Sequence, residues 1–316
     1  MAESKVITFF SNGIGNFVMM MPALQSLSKL AGSKVDICLD DKWRDSRRDA
    51  IEEIIQKWDI TGKIVNYPND SINGNYTHWF YPRHNGHSDV TTLFSDKQTH
   101  PPIAKPNWAK TLIHEEDYYM NHIYLMGFKG VKSKVIFPLA DNPILDLKRP
   151  IIGICNGAFK VDAKYWEKKR WPYFGHLADV LKLYFGGSVI GVGSKGELDE
   201  ILCDENFAGR LSITESAKVI SQCDLFITTD TGCMHIADML DIPIIALFGA
   251  TFVSKNAPRN KKSIVIKNRI ECSPCQDNGR FWRCTVNECM EKITVSDVMN
   301  EVRRIMRVIK WMYDIF

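Results

Sequence analysis

A chain of 316 residues, 45% hydrophobic and 24% charged, is long for a single core and too evenly composed for a disordered or fibrous protein, so two folded domains are expected. Its 40 basic residues nearly cancel its 37 acidic ones, and a net charge of +3 excludes nucleic-acid binding driven by bulk charge. No apolar run reaches the ~18–20 residues that span a bilayer, and "MAESKVITFF" enters a strand without a signal-peptide pattern, which predicts a cytoplasmic protein.

In chain order, residues 5–10, 34–39 and 76–81 read as short β-branched or aromatic strands, and 16–31 and 45–58 between them carry apolar residues at helical spacing. That alternation predicts a parallel sheet with crossover helices. The stretch 82–110 has His, Pro and Gly without periodicity and reads as a long loop, a common place for function. Pro138, Pro143 and Pro150 then punctuate the chain as a linker, with a domain boundary near residue 148. Beyond it "IIGICN" (151–156), "SVIGVG" (188–193), "DLFITT" (224–229) and "IPIIALFG" (242–249) are continuous apolar runs, the signature of strands buried on both faces. No repeat is visible at the residue level, although both halves share the strand–helix rhythm.

Two turns stand where such sheets bind ligands, beyond the carboxyl ends of strands. "SNGIGN" (11–16) carries only part of a dinucleotide fingerprint, because position 18 is Val18 where a third glycine is needed. A tight turn with no ligand at all is an equally simple reading of those glycines. "DLFITTDTGCMHIADMLDIPIIALFGAT" (224–251) is richer: a buried strand ends in Thr228 and Thr229, and Asp230, Thr231 and Gly232 open a helix whose N-terminus favours an anion. Asp230 and Thr231 suit capping, and Asp230 also suits a sugar hydroxyl.

Nine cysteines in a chain of this length do not form a secreted disulfide scaffold. Cys272, Cys275, Cys284 and Cys289 are spaced C-x2-C-x8-C-x4-C, which suits a four-thiolate structural zinc or iron site or, equally, a loop of free thiols. Cys155, Cys203, Cys223 and Cys233 fall on or beside apolar segments and read as small buried residues. At the end, "SDVMNEVRRIMRVIKWMYDIF" places apolar residues at 298, 302, 305, 309 and 312 and Arg303, Arg307 and Lys310 on another face. Such a helix either packs its apolar side on the protein or rests on anionic lipid.

Residues 224–251 closely resemble the strand, Asp-Thr-Gly-x-Met-His helix and following strand of glycosyltransferase family 9, the bacterial ADP-heptose heptosyltransferases. "SNGIGNFVMMMPAL" (11–24) looks like that family's N-terminal glycine turn and Pro-Ala-Leu helix, and "KKRWP" (168–172) like its Lys-x-Trp-Pro element. "CSPC" (272–275), Cys284 and "ECM" (288–290) resemble its C-terminal segment. The match touches both halves in order.

This resemblance implies an α/β fold of GT-B type: two Rossmann-like domains, residues 1–148 for the acceptor and 149–295 for the nucleotide-sugar donor, with 296–316 packing back on the first. Lys169 would neutralise the leaving diphosphate, with backbone N–H groups of Thr231, Gly232, Cys233 and Met234 completing the cradle. Asp230, His235 and Glu197 would complete the donor site, Glu197 at the ribose or base; for Glu197, a role as a helix-start acid is as good a reading. Gly13, Gly15, Asn16, His84 and His87 fall to the acceptor. No catalytic metal is implied. The expected reaction is inverting displacement of ADP from an ADP-heptose-like donor by a glycan, lipopolysaccharide or protein acceptor, with peripheral contact at the inner membrane. An epimerase of similar architecture and a silent nucleotide-sugar-binding protein remain alternatives.

The departure is Asn16, where family members commonly carry Asp as the base. An amide does not take a proton near neutral pH. Asn16 then only orients the acceptor, another group such as His84, His87 or Asp89 is the base, the acceptor ionises unaided, or transfer is lost.

Overall fold

The computed structural model describes residues 5–40, 45–72, 76–81, 97, 112–157, 167–276 and 280–315. The chain divides into two units, Met1–Pro138 and Leu139–Phe316. The division lies ten residues before the expected boundary, for a physical reason. The Pro-punctuated stretch is tied to the second unit: Ala140 N–H donates to Thr214 O at 3.3 Å, Leu145 N–H to Gln222 Oε1 at 2.8 Å, and Gln222 Nε2 to Pro143 O at 3.0 Å.

In the first unit, β1 (Val6–Phe10), β2 (Val35–Asp40), β3 (Thr61–Tyr67) and β4 (His78–Phe80) form a parallel sheet in the order β3-β2-β1-β4. β1 and β2 are buried at every position, including the polar Thr8, Asp36 and Asp40. The sequence reading misses β3, "TGKIVNY", because an edge strand with exposed Gly62 and Lys63 has no continuous apolar run to announce it. Helix α1 (Ile14–Ala31) begins two residues earlier than expected and ends at Gly32, whose φ of 62° is the left-handed cap that glycine adopts without strain. Helix α2 (Ser46–Lys57) is capped by Asp45, which accepts the Arg47 N–H at 2.9 Å. Arg48, fully buried, joins α2 to the sheet by donating to Asp40 O at 2.6 Å and to Asn66. Helix α3 (Glu115–Leu125) packs against α1.

The second unit is a six-stranded parallel sheet of β5 (Ile151–Cys155), β6 (Ser188–Gly191), β7 (Glu205–Asn206), β8 (Leu225–Thr229), β9 (Ile244–Phe248) and β10 (Ile264–Lys267), ordered β10-β9-β8-β5-β6-β7. Its helices are α4 (Phe174–Phe185), α5 (Ile213–Ile220), α6 (Gly232–Met239), α7 (Val253–Asn256), α8 (Glu288–Glu291) and α9 (Val295–Ile315). α5 opens with a full capping box between Ser212 and Glu215. Residues 296–316, expected to pack back on the first unit, put their described apolar side chains Val298, Met299, Val302 and Met306 into the second unit's own core, with Trp171, Phe174 and Ile245. Among the described residues no helix is long and apolar enough to cross a membrane.

In each sheet the first strand sits inside, with later strands added on both sides. The chain therefore reverses direction of growth between β1 and β4 and between β5 and β8. These are the crevices where open parallel sheets accept ligands.

Gly153 lies in the middle of β5 opposite Phe226, and a Cβ there would stand 2.6 Å from the Phe226 ring and 2.8 Å from Cys223 Sγ. Gly153→Ala is expected to destabilise the protein by about 1–3 kcal/mol through overpacking. Gly175→Ala, where a Cβ meets nothing within 4 Å, should cost nothing. Urea denaturation midpoints of the two variants check the contrast.

Candidate functional site

The second crevice is assembled from three loops. Strand β8 ends at Thr229, and Thr231 caps α6 by accepting the Met234 N–H at 3.4 Å. Thr229 Oγ1 donates to Gly157 O at 3.2 Å, tying the end of β8 to the end of β5. Asn156, at the tip of β5, holds Trp171 by a reciprocal pair: its Oδ1 accepts the Trp171 N–H at 2.9 Å and its Nδ2 donates to Trp171 O at 3.0 Å. Trp171 is fully buried and its indole N–H reaches Ile293 O at 2.8 Å. That clamp fixes the short helical turn Glu167–Lys169 beside the crevice.

From there Lys169 Nζ reaches Asp230 Oδ2 at 3.0 Å and Asp230 O at 3.3 Å. His235 Nε2 lies 3.7 Å from Asp230 Oδ1, and Asn256 Nδ2 donates to Oδ2 at 3.3 Å. Asp230 is 5% exposed. Burial by itself would push its carboxyl up. The Lys169 charge, then His235 and Thr251 as hydrogen-bond partners, overcome that and hold it well below the usual carboxylate range. Asp230 is therefore a fixed anion that aims a lysine, and the candidate roles of Lys169, Asp230 and His235 converge on one cluster.

The other donor-side residues are placed more selectively. Gly232 and Cys233 open α6, where N–H groups have no acceptor within the helix, but the Met234 N–H is taken by the Thr231 side chain. The expected cradle is thus narrower by one donor, because the capping threonine competes for it. The Cys233 thiol is held well above its ordinary range by a hydrogen bond with Cys155, by burial and by the nearby Glu197 charge. Glu197 is buried, and its Oε2 accepts the Ser194 N–H at 2.8 Å. The same oxygen stands only 2.6 Å from where a Cβ on Gly193 would be and 3.2 Å from one on Gly157. Glycine at both positions is what lets this carboxylate reach the crevice. Asn156, Thr251 and Asn256 went unnoticed in the sequence. Asn156 follows β5, Thr251 follows β9 and Asn256 ends α7, and none belongs to a pattern that singles it out.

In the first unit, Gly13 is the N-cap of α1 at φ −72°, a conformation open to any residue, so the glycine turn is not forced by backbone strain. Asn16 lies in the first turn, and its Nδ2 donates to Glu115 Oε1 at 2.7 Å. Tyr119 OH donates to the same oxygen. Glu115, 2% exposed, is a buried carboxylate that sequence reasoning did not single out, since 99 residues separate it from Asn16. His84, His87 and Asp89, the other candidate bases, lie outside the described residues.

The four late cysteines do not assemble as expected. Burial pushes Cys289 up to about 11, and the charges of Cys275, Cys272 and Cys284 add to this, so the thiols are neighbours. None of the nine cysteines is in a disulfide. Yet among the described residues no group of three or more His, Cys, Asp or Glu has the geometry to hold a metal ion. Cys284 instead turns its thiol to Val286 O at 2.7 Å. The zinc or iron reading is corrected accordingly: the long x8 and x4 spacings let the second pair of thiols find local partners.

Comparison with known proteins places these features. The model of glycosyltransferase family 9 (heptosyltransferase) matches residues 129–284. Lipooligosaccharide heptosyltransferase 2 of Haemophilus influenzae is 32% identical over 38% of this chain and 37% of its own length. The enzyme of the same name from Campylobacter jejuni serotype O:6 is 27% identical over 60% of this chain and 65% of its own. The chain thus aligns with less than two thirds of the length of either relative. The solved structure of Escherichia coli ADP-heptose LPS heptosyltransferase II, 16% identical, superposes with a TM-score of 0.68 over 97% of this chain and 99% of that one. Such a likeness establishes the fold, an α/β architecture of GT-B type. Over residues 129–284, the segment that holds Lys169 and Asp230, the chain is similar to glycosyltransferase family 9.

Proposed function

We propose that this chain is a glycosyltransferase that moves a heptose-like sugar from a nucleotide diphosphate, ADP-heptose, to a lipopolysaccharide or related glycan acceptor, with a protein acceptor as the less favoured case. The observation that carries the reading is the Lys169–Asp230 pair, 3.0 Å apart at the N-terminus of α6 and beyond the β5/β8 crevice. When a glycosyl bond to a diphosphate breaks, negative charge grows on the leaving oxygens. A preorganised cation and helix N–H groups aimed there lower the barrier without reorganising.

In this mechanism Lys169 Nζ and the N–H groups of Gly232 and Cys233 hold the diphosphate, and Asp230 keeps the lysine in place. Glu197 faces the donor's ribose or base. Lys169 and α6 supply the electrostatic work a divalent cation performs in other transferases, so the diphosphate needs no metal. Attack by the acceptor hydroxyl on the face opposite the leaving ADP forms the new C1–O bond as the C1–O bond to the diphosphate breaks, inverting the anomeric centre, and the hydroxyl's proton passes to a base other than Asn16, with His84, His87 and Asp89 as the candidates. Gly13, Gly15 and Asn16 of the first unit bind the acceptor. The relatives' names, which specify lipooligosaccharide, favour a lipid-linked glycan acceptor.

Incubation with ADP-heptose and heptose-deficient lipopolysaccharide should release ADP and add one heptose to the acceptor by mass. Tight donor binding with no turnover on any glycan or protein acceptor would establish the silent binding protein instead. Lys169→Ala should weaken ADP binding by roughly 10- to 100-fold, the range expected when a charge-assisted contact of about 1.5–3 kcal/mol is lost. Asp230→Ala should weaken it by at least about tenfold, since the lysine loses its anchor. Isothermal titration with ADP reads both; near-normal affinity in both variants would sink the assignment.

A further inference from the structure

The first unit contains a polar arrangement that the donor chemistry does not use. Asn16, Glu115 and Tyr119 meet between the first turn of α1 and the first two turns of α3, where the surrounding side chains Phe17, Tyr118 and Met120 are buried. Asn16 Nδ2 and the Tyr119 hydroxyl both donate to Glu115 Oε1. An ionised carboxylate has no hydrogen to give, so the amide must present its nitrogen to Glu115.

The consequence lies at the amide's other end. With Nδ2 committed to Glu115, Asn16 Oδ1 turns toward Gly13, where a Cβ would stand 3.4 Å away. Asn16 itself is only partly buried. A carbonyl oxygen whose own N–H is hydrogen-bonded to an anion is also a stronger acceptor, because the amide is polarised in that direction.

We infer that Glu115 is a positioning residue: it fixes and polarises Asn16 so that the amide oxygen accepts a hydrogen bond from the hydroxyl of the incoming sugar acceptor, with Tyr119 holding Glu115 in place. The inference rests on the transferase reading above and deepens its acceptor side. It gives Asn16 a task an aspartate is not needed for. The amide selects and aligns a hydroxyl, and the carboxylate that orients it sits behind it on α3, out of solvent.

The test uses the full chain, ADP-heptose and heptose-deficient lipopolysaccharide. In Glu115→Gln the neutral amide can either accept from Asn16 Nδ2 or donate to its Oδ1, so the direction of Asn16 is no longer fixed and the charge that polarises it is gone. The acceptor KM should rise, or kcat fall, by roughly 10- to 100-fold, the range set by a lost charge-assisted hydrogen bond, while ADP affinity stays at the wild-type value. Asn16→Asp alone places two carboxylates in contact and should also lose activity. The double variant Asn16→Asp/Glu115→Gln exchanges amide and carboxylate across the same contact. It again directs an oxygen at Gly13 and should recover most of the activity that either single variant loses. Thermal melting run alongside separates a folding defect from an acceptor effect. A purely structural role predicts lowered melting with unchanged acceptor KM and kcat in the folded fraction, and that result overturns the inference. So does a double variant no better than the worse single one. If the wild-type chain binds ADP but transfers to no acceptor, the transferase reading fails and this inference falls with it; if the wild type turns over and Glu115→Gln matches it, only this inference fails.

Discussion

Lys169 and Asp230 lie 61 residues apart in sequence and meet where water is nearly excluded, and the design of the second unit follows from making that meeting possible. Taking two charges out of water costs several kcal/mol per ion, and their attraction repays this only when further hydrogen bonds satisfy what remains. Here the remaining valences are met: His235, Asn256 and Thr251 serve the carboxylate, and the ammonium has both Asp230 Oδ2 and the Asp230 carbonyl. A buried pair of this kind is weak evidence for stability, because well-packed apolar side chains serve that end as well. It makes sense as a device that keeps a cation fixed at a helix N-terminus.

Holding the lysine requires a rigid mount, which explains why the largest buried aromatic of the unit sits two residues further on. The Asn156–Trp171 clamp joins the tip of the first strand to the lysine's turn by two hydrogen bonds, and the Trp171 indole then pins that turn to Ile293 just before α9. The last helix therefore supports the site from behind as part of the second unit's core. The topology does the rest: strand growth reverses between β5 and β8, so Asn156 and Asp230 emerge side by side. The first unit has a comparable contact between the first turns of α1 and α3 with a different chemistry, an amide on a carboxylate in place of a lysine on a carboxylate.

Much of this was legible in the sequence where burial is two-sided. β5, β8 and β9 stand out as continuous apolar runs because both faces of a central parallel strand are covered, β1 and β2 as short β-branched or aromatic segments, and these strands were found with errors of one or two residues. β3, β7 and β10 were missed: they are edge strands, half exposed or two residues long, and carry no such run. The Lys169–Asp230 cluster was readable because "KKRWP" and "TTDTGCMHIAD" are compact local patterns, whereas Asn156, Asn256 and Glu115 act through contacts across tens of residues that no local pattern records. The cysteine spacing misled for the opposite reason. Spacing states which thiols are close along the chain, and a metal needs them to point at one spot.

Asn16 shows how a single residue type is read differently once its partner is known. Alone, an amide at the candidate base position is a deficiency, since it takes up no proton. Beside a buried carboxylate 2.7 Å away it is one half of a charged hydrogen bond whose direction is fixed, and the carboxylate is present in the unit but displaced onto α3. An aspartate at 16 in this chain would face Glu115 directly, and two carboxylates at that distance cannot both stay ionised without cost. The amide and the glutamate are therefore a matched pair: given Glu115 at the start of α3, asparagine is the residue of nearly the same size as aspartate that the turn can hold without repulsion.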